Sequence, residues 1–170
     1  YTIKTVKKTV RKMCTEYTLR KYPCNLNYSG YRENTYIYYL NGSKMYKGKE
    51  LLKVVLGSEL AIKLETGGYK VRRFYRNVKV DNLTYDLFVE YVDNYNDIKQ
   101  ILVDINLDEN FNIFKYDKIE EKIEKSTIPF FEVPKILVVT KNNKDIKVPD
   151  KLDLDIDFVD INLSKLFKVI

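Results

Sequence analysis

Histidine and tryptophan are absent from all 170 residues. Without histidine there is no Ser-His-Asp or Cys-His catalysis, no His-ligated zinc and no histidine pH switch within the chain. Glycine is scarce, and Gly57, Gly67 and Gly68 fit the spacing of neither nucleotide-binding fingerprint. Cysteine is limited to Cys14 and Cys24, too few for a disulfide scaffold, and both are expected to be reduced thiols. No apolar run approaches the roughly 18 residues that cross a bilayer, and no signal-peptide pattern is present. These absences lead to the expectation of a soluble, cytoplasmic protein with no membrane partner. The chain opens on Tyr1 and not on Met, as expected of a processed product or a fragment.

What is present is a 45% hydrophobic content, sufficient for a real core, and 15 tyrosines. Abundant Lys, Asn, Ile and Tyr are what an AT-rich genome encodes. That origin does not account for where the charge sits. Residues 1–79 hold 18 Lys/Arg and 5 Asp/Glu, a formal +13, while residues 80–170 hold 12 and 19, a formal −7. A basic half joined to an acidic one suggests a polyanion-binding face attached to something else.

In the basic half, Val6, Val10, Met13 and Tyr17 follow helical spacing, with Lys4, Lys8, Arg11 and Lys12 opposite them and Thr5 as N-cap. This pattern predicts an amphipathic helix with a basic stripe. After a polar turn, Thr35 to Leu40 is strongly β-prone and closes on Asn41-Gly42. Helix followed by hairpin is the second half of a winged helix. Thr5, Lys8, Arg11 and Lys12 would then meet double-stranded DNA from the helix, and Arg20, Lys21 and Arg32 would meet phosphates from the hairpin. The bland counterpart is a solvated helix face and ordinary strand tyrosines.

From residue 48 the pattern changes. Leu52, Leu56, Leu60 and Leu64 predict a helix with a wide buried face, stopped by Gly67-Gly68. Strands are predicted over 69–80, 83–92 and 98–107, with a tight turn at Asp81-Asn82. A helix over 109–125 is predicted next, then a continuous apolar strand over 135–140 and a last strand over 154–161. The expected fold is therefore α/β (α+β): a partial winged helix over 1–47, then an αβββαββ domain with a mixed sheet over 48–170. Asp153, Asp155 and Asp157 alternate with apolar residues on one strand face and lack the glycine and glutamate of a calcium loop, so they are read as solubility or edge protection.

The order αβββαβ is the core of the restriction-endonuclease-like superfamily. The pattern there places an acid at the second strand and an Asp/Glu-x-Lys on the third. In this chain the corresponding residues are Asp81, in Val80-Asp81, and Asp104-Ile105-Asn106. With Ile37-Tyr-Tyr-Leu40 and Phe114-Lys-Tyr-Asp-Lys118-Ile119, the chain resembles the replication-relaxation family of plasmid and conjugative-element proteins over nearly its whole length. The resemblance implies a DNA-binding protein of a mobile element, working in replication, DNA processing or its regulation.

Three departures from the motif (Val80 for Pro, Asp104 for Glu, Asn106 for Lys) imply a nuclease-like domain that is inactive, with no cofactor. The enzyme alternative is a magnesium- or manganese-dependent nuclease with Asp81 and Asp104 as metal ligands, and with Lys115 or Lys118 reaching in from the helix as the missing lysine. A third alternative is a protein-interaction module whose basic half meets an acidic partner, and the acidic half is a candidate surface for a protein partner or a homodimer.

Overall fold

A computed structural model describes the backbone of residues 8–10, 15–17, 19–23, 26–28, 31–33 and 36–40, and residues 46–108, 111–141, 146, 148–149, 152 and 154–170 in full. The chain divides into two compact units, Tyr1–Leu52 and Lys53–Ile170.

In the first unit the described backbone up to residue 40 is all strand. β1 (Lys8–Val10) pairs antiparallel with β2 (Thr15–Tyr17). β3 (Leu19–Pro23) pairs antiparallel with β6 (Tyr36–Leu40), and β4 (Leu26–Tyr28) with β5 (Tyr31–Glu33). Where the basic helix is expected over 5–17, the described residues 8–10 and 15–17 are instead paired strands, and the described residues up to 40 hold no recognition helix. The physical reason lies in Thr2, Ile3, Thr5, Val6, Thr9, Val10 and Thr15: β-branched side chains lose rotamer freedom in a helix and favour strands. Lys8 lies in β1, Arg20 and Lys21 in β3, and Arg32 in β5. Thr5, Arg11 and Lys12 lie outside the described residues. The β-prone run at the end of this segment is β6, as its composition predicts.

The second unit is a mixed α/β domain whose elements follow the order the hydrophobic pattern predicts. α1 (Gly48–Thr66) leads into it and buries Leu52, Leu56, Leu60 and Leu64. β7 (Lys70–Val80), β8 (Leu83–Val92) and β9 (Ile98–Asn106) form an antiparallel meander; β10 (Lys135–Thr140) then lies parallel to β9, and β11 (Ile156–Val159) parallel to β10. The sheet order is β11-β10-β9-β8-β7, so β7 and β11 are its edges. β9 and β10 are buried over most of their length, as expected of central strands covered on both faces. Gly57 of α1 sits against Leu87 on one face. Phe88, which points to the other side of β8, clusters with Tyr85, Leu102, Ile136, Val138, Ile113, Tyr116 and Ile119.

The helix expected over 109–125 is broken. A 3-10 turn (Ile113–Tyr116), started by Asn112 accepting from the Phe114 amide, is followed by α2 (Ile119–Glu124). Lys118 between them has φ +56°, a left-handed conformation that no α-helix continues through. The last strand is shorter than expected, and a terminal helical turn, α3 (Leu166–Val169), follows it. None of the described helices is long and apolar enough to cross a membrane.

Candidate functional site

Asp81 and Asp104 occupy different places. Asp81 is an exposed turn residue at φ +52°, a conformation Asp tolerates better than most residues. Asp104 is buried near the end of β9. Asp81 lies in the turn before β8, five residues ahead of Asp86, and it is the Asp86 carboxylate that comes near Asp104.

The β8–β9 ladder runs from Val92↔Ile98 to Leu87↔Val103 and ends there. One residue further, the Asp86 carboxylate accepts a hydrogen bond from the Ile105 amide at 2.6 Å, the role that a backbone carbonyl of β8 fills along the ladder. The two strands fork at this point. Lys53 from α1 donates to both Asp86 oxygens, at 2.9 and 3.2 Å. Burial pushes the Asp86 carboxyl above its ordinary value; the Ile105 amide and Lys53 oppose the shift, and the Asp104 charge adds to it.

Asp104 has its own escort. Tyr116 Oη donates to Asp104 Oδ2 at 2.6 Å, and Lys115 Nζ donates to the same oxygen. The Lys115 ammonium also lies 5.0 Å from the Tyr116 ring centroid, a cation–π contact. Tyr116 is fully buried; burial first, and then the Asp104 charge and hydrogen bond, drive its phenol far above the usual range. Tyr85 stacks on Tyr116 with centroids 6.1 Å apart. Its phenol is likewise driven up by burial and by Asp104, and its buried hydroxyl has no hydrogen-bond partner among the described residues.

Of the lysines considered for the missing motif position, Lys115 reaches the site, while Lys118 is exposed and lies 3.9 Å from Glu121. Asn106, at the third motif position, is used elsewhere: its Oδ1 accepts from the Asp108 amide at 3.0 Å and shapes the turn after β9. Sequence reasoning missed Asp86 and Lys53. The available signal was a lone acid inside the otherwise uncharged run Leu83-Thr-Tyr-Asp86-Leu-Phe-Val89.

Two carboxylates and two ammoniums make a neutral group of four. A hard divalent cation takes six to eight oxygen ligands (Ca²⁺) or a strict octahedron (Mg²⁺). Here each carboxylate already carries an ammonium, Asn106 is committed to a turn, and the described residues hold no cluster of three metal-ligating side chains. The donor set fits a self-neutralised ion-pair network and does not fit a bound cation, so no chemical step is derived through one. A second buried acid, Glu90, is likewise paired, with Arg73 at 3.2 Å, Arg72 at 3.8 Å and Gln100 Nε2 at 3.0 Å.

The orphan hydroxyl makes one expectation testable. Tyr85→Phe removes a buried donor that no described residue satisfies and keeps the ring, so stability is expected to rise by about 1 kcal/mol. Urea denaturation of the two proteins checks it, and a loss of stability would show that the hydroxyl has a partner.

The chain matches no family model and no curated protein.

Proposed function

We propose that this chain is a cytoplasmic DNA-binding protein of a mobile genetic element, acting in replication, DNA processing or its regulation, and that its α/β unit is a nuclease-like scaffold without cleavage activity. The observation that carries the second half of this reading is the pairing of Asp86 with Lys53 and of Asp104 with Lys115 at the strand fork. A phosphodiester-cleaving site of this type gathers several oxygen ligands around a cation, whereas here Asp86 is held by Lys53 and the Ile105 amide and Asn106 by the turn after β9, although Lys115 stands where the motif lysine would. The formal +13 of residues 1–79 supports the first half, because phosphate neutralisation supplies most sequence-independent affinity for DNA.

The expected result is binding of double-stranded DNA that weakens steeply with salt. Six to ten phosphate contacts correspond to a loss of about 10³–10⁵ in affinity between roughly 50 and 200 mM salt. Fluorescence anisotropy on labelled duplexes measures it, and salt-insensitive or absent binding would sink the reading. Incubating supercoiled DNA with magnesium or manganese is expected to leave it intact. Cleavage that disappears in both Asp86→Asn and Asp104→Asn would replace the scaffold reading with a metal-dependent nuclease.

A further inference from the structure

The edge strand β7, Lys70-Val-Arg-Arg-Phe-Tyr-Arg-Asn-Val-Lys-Val80, carries five cations and no acid. Arg72 and Arg73 share the buried Glu90. Arg76 donates to the Val54 carbonyl at 3.1 Å and to Ser58 Oγ at 3.0 Å, and lies 5.1 Å from the Phe74 ring centroid. Lys70 and Lys79, both exposed, have no carboxylate partner among the described residues. Setting the five cations against Glu90 and the neighbouring Glu65 leaves a net +3 along the strand.

Charged side chains are a common way to protect a sheet edge from strand addition. At β7 that protection is already supplied by the backbone. The register shifts between Val71 and Arg73, Glu65 Oε1 accepts from the Val71 amide at 2.8 Å, and Asn77 is left-handed at φ +52°. An edge so interrupted is a poor template for a peptide strand, and the net positive charge needs another explanation. The opposite edge, β11, is acidic, but Lys135 lies 3.4 Å from Asp155 and 2.9 Å from Asp157 and takes up much of that charge. Edge-to-edge pairing of two copies is correspondingly weakened. From Lys70 to Lys79 the strand extends about 30 Å, close to one turn of duplex at roughly 34 Å.

We infer that β7 is a phosphate-contacting track for duplex DNA, built into the α/β unit and acting through Lys70, Arg72 and Lys79. It rests on the DNA-binding reading above, and it locates part of that binding outside residues 1–47. Arg73 and Arg76 are tied into the fold and act as positioning residues for the strand.

The test uses the full chain and a labelled duplex of about 30 base pairs, roughly three turns. The triple variant Lys70→Gln, Arg72→Gln, Lys79→Gln is compared with Lys141→Gln, Lys165→Gln, Lys168→Gln, which removes the same charge from exposed positions elsewhere. The track predicts that the slope of log affinity against log salt becomes shallower by about 2 to 3 and that affinity at about 50 mM salt falls at least 10-fold, because each lost phosphate contact removes about 0.9 from the slope. The control is expected to change by less than about two-fold, and Lys70→Arg, Arg72→Lys, Lys79→Arg is expected to keep binding. If wild type binds and the β7 triple loses no more than the control, the track is wrong while the DNA-binding reading stands. If wild type itself does not bind, both fall. A β7 variant that changes only the elution volume on gel filtration, with DNA affinity intact, also overturns the track, in favour of self-association through the edge.

Discussion

Phe88→Ala is expected to lower the unfolding free energy by about 4 kcal/mol, within the roughly 3–5 kcal/mol that phenylalanine truncations in cores cost. Phe88 is fully buried. Phe130 meets it edge-on at 5.4 Å and 87°, and Tyr75 stacks on it at 5.9 Å and 12°. The cavity left behind lies between strand and loop partners that are themselves held in place. Gln100 donates to the Pro129 carbonyl at 3.1 Å and fixes the loop that carries Phe130. Collapse around the cavity is therefore limited, which keeps the loss above the low end of the range. Urea melts read it as a fall in midpoint with an unchanged slope. Phe114, half-exposed, is the comparison: its truncation is expected to cost under about 1 kcal/mol. A Phe88→Ala loss below about 1.5 kcal/mol would mean that this face of the sheet is not packed as described.

The second large effect is at the strand fork. Asp104→Ala is expected to destabilise by about 3 kcal/mol, because it leaves the buried Tyr116 hydroxyl without its acceptor and Lys115 without its carboxylate. Lys115 is about one-third exposed, with 32% of its side chain accessible, so it can turn to water, which keeps the figure at the low end for a broken buried pair. Replacing all three partners with apolar groups, Asp104→Leu with Lys115→Met and Tyr116→Phe, is expected to recover most of the loss, since neither a charge nor a buried hydroxyl is then left unpaired. The same single change has a spectroscopic signature. Asp104 helps hold the Asp86 carboxyl above its ordinary 3.8, so its removal is expected to lower the Asp86 pKa in an NMR titration. The sign for stability follows. An acid whose folded pKa is raised binds more protons folded than unfolded, so stability falls as pH rises from 3.8 through the raised value. That falling segment is expected to shrink in Asp104→Ala. An unmoved Asp86 pKa would show that the two carboxylates do not sense each other.

Much of the α/β unit was legible before any coordinates. The buried stripe Leu52, Leu56, Leu60 and Leu64 announces α1, and β7 to β10 fall where hydrophobic runs and turn residues put them. These are local signals, complete within one element. Two readings failed for a common reason. Residues 5–17 satisfy a helical spacing and also a β-branched composition, and pairing between Lys8–Val10 and Thr15–Tyr17 decides between them. Residues 109–125 look like one helix until Lys118 takes a left-handed turn between the segment that holds Asp104 and the one that follows.

The carboxylate site divides along the same line. Asp104 follows from its motif position on the third strand of the domain, and the structure places it at the buried end of that strand. The same motif points to Asp81 as its partner, while the local signal for Asp86, a lone acid in an uncharged run, does not say what that acid meets. The choice depends on where β8 and β9 stop pairing, which is set by register, and on which lysines α1 and the 3-10 turn bring to the fork. The sequence by itself determined the element order, the buried strands and the concentration of positive charge before residue 80, because periodicity and composition are carried by neighbours in the chain. Only the tertiary structure decided that Asp86 and not Asp81 lies near Asp104, that Lys53 and Lys115 pair with them and that the basic strand β7 is an edge of the described sheet, because each of these depends on segments far apart in sequence.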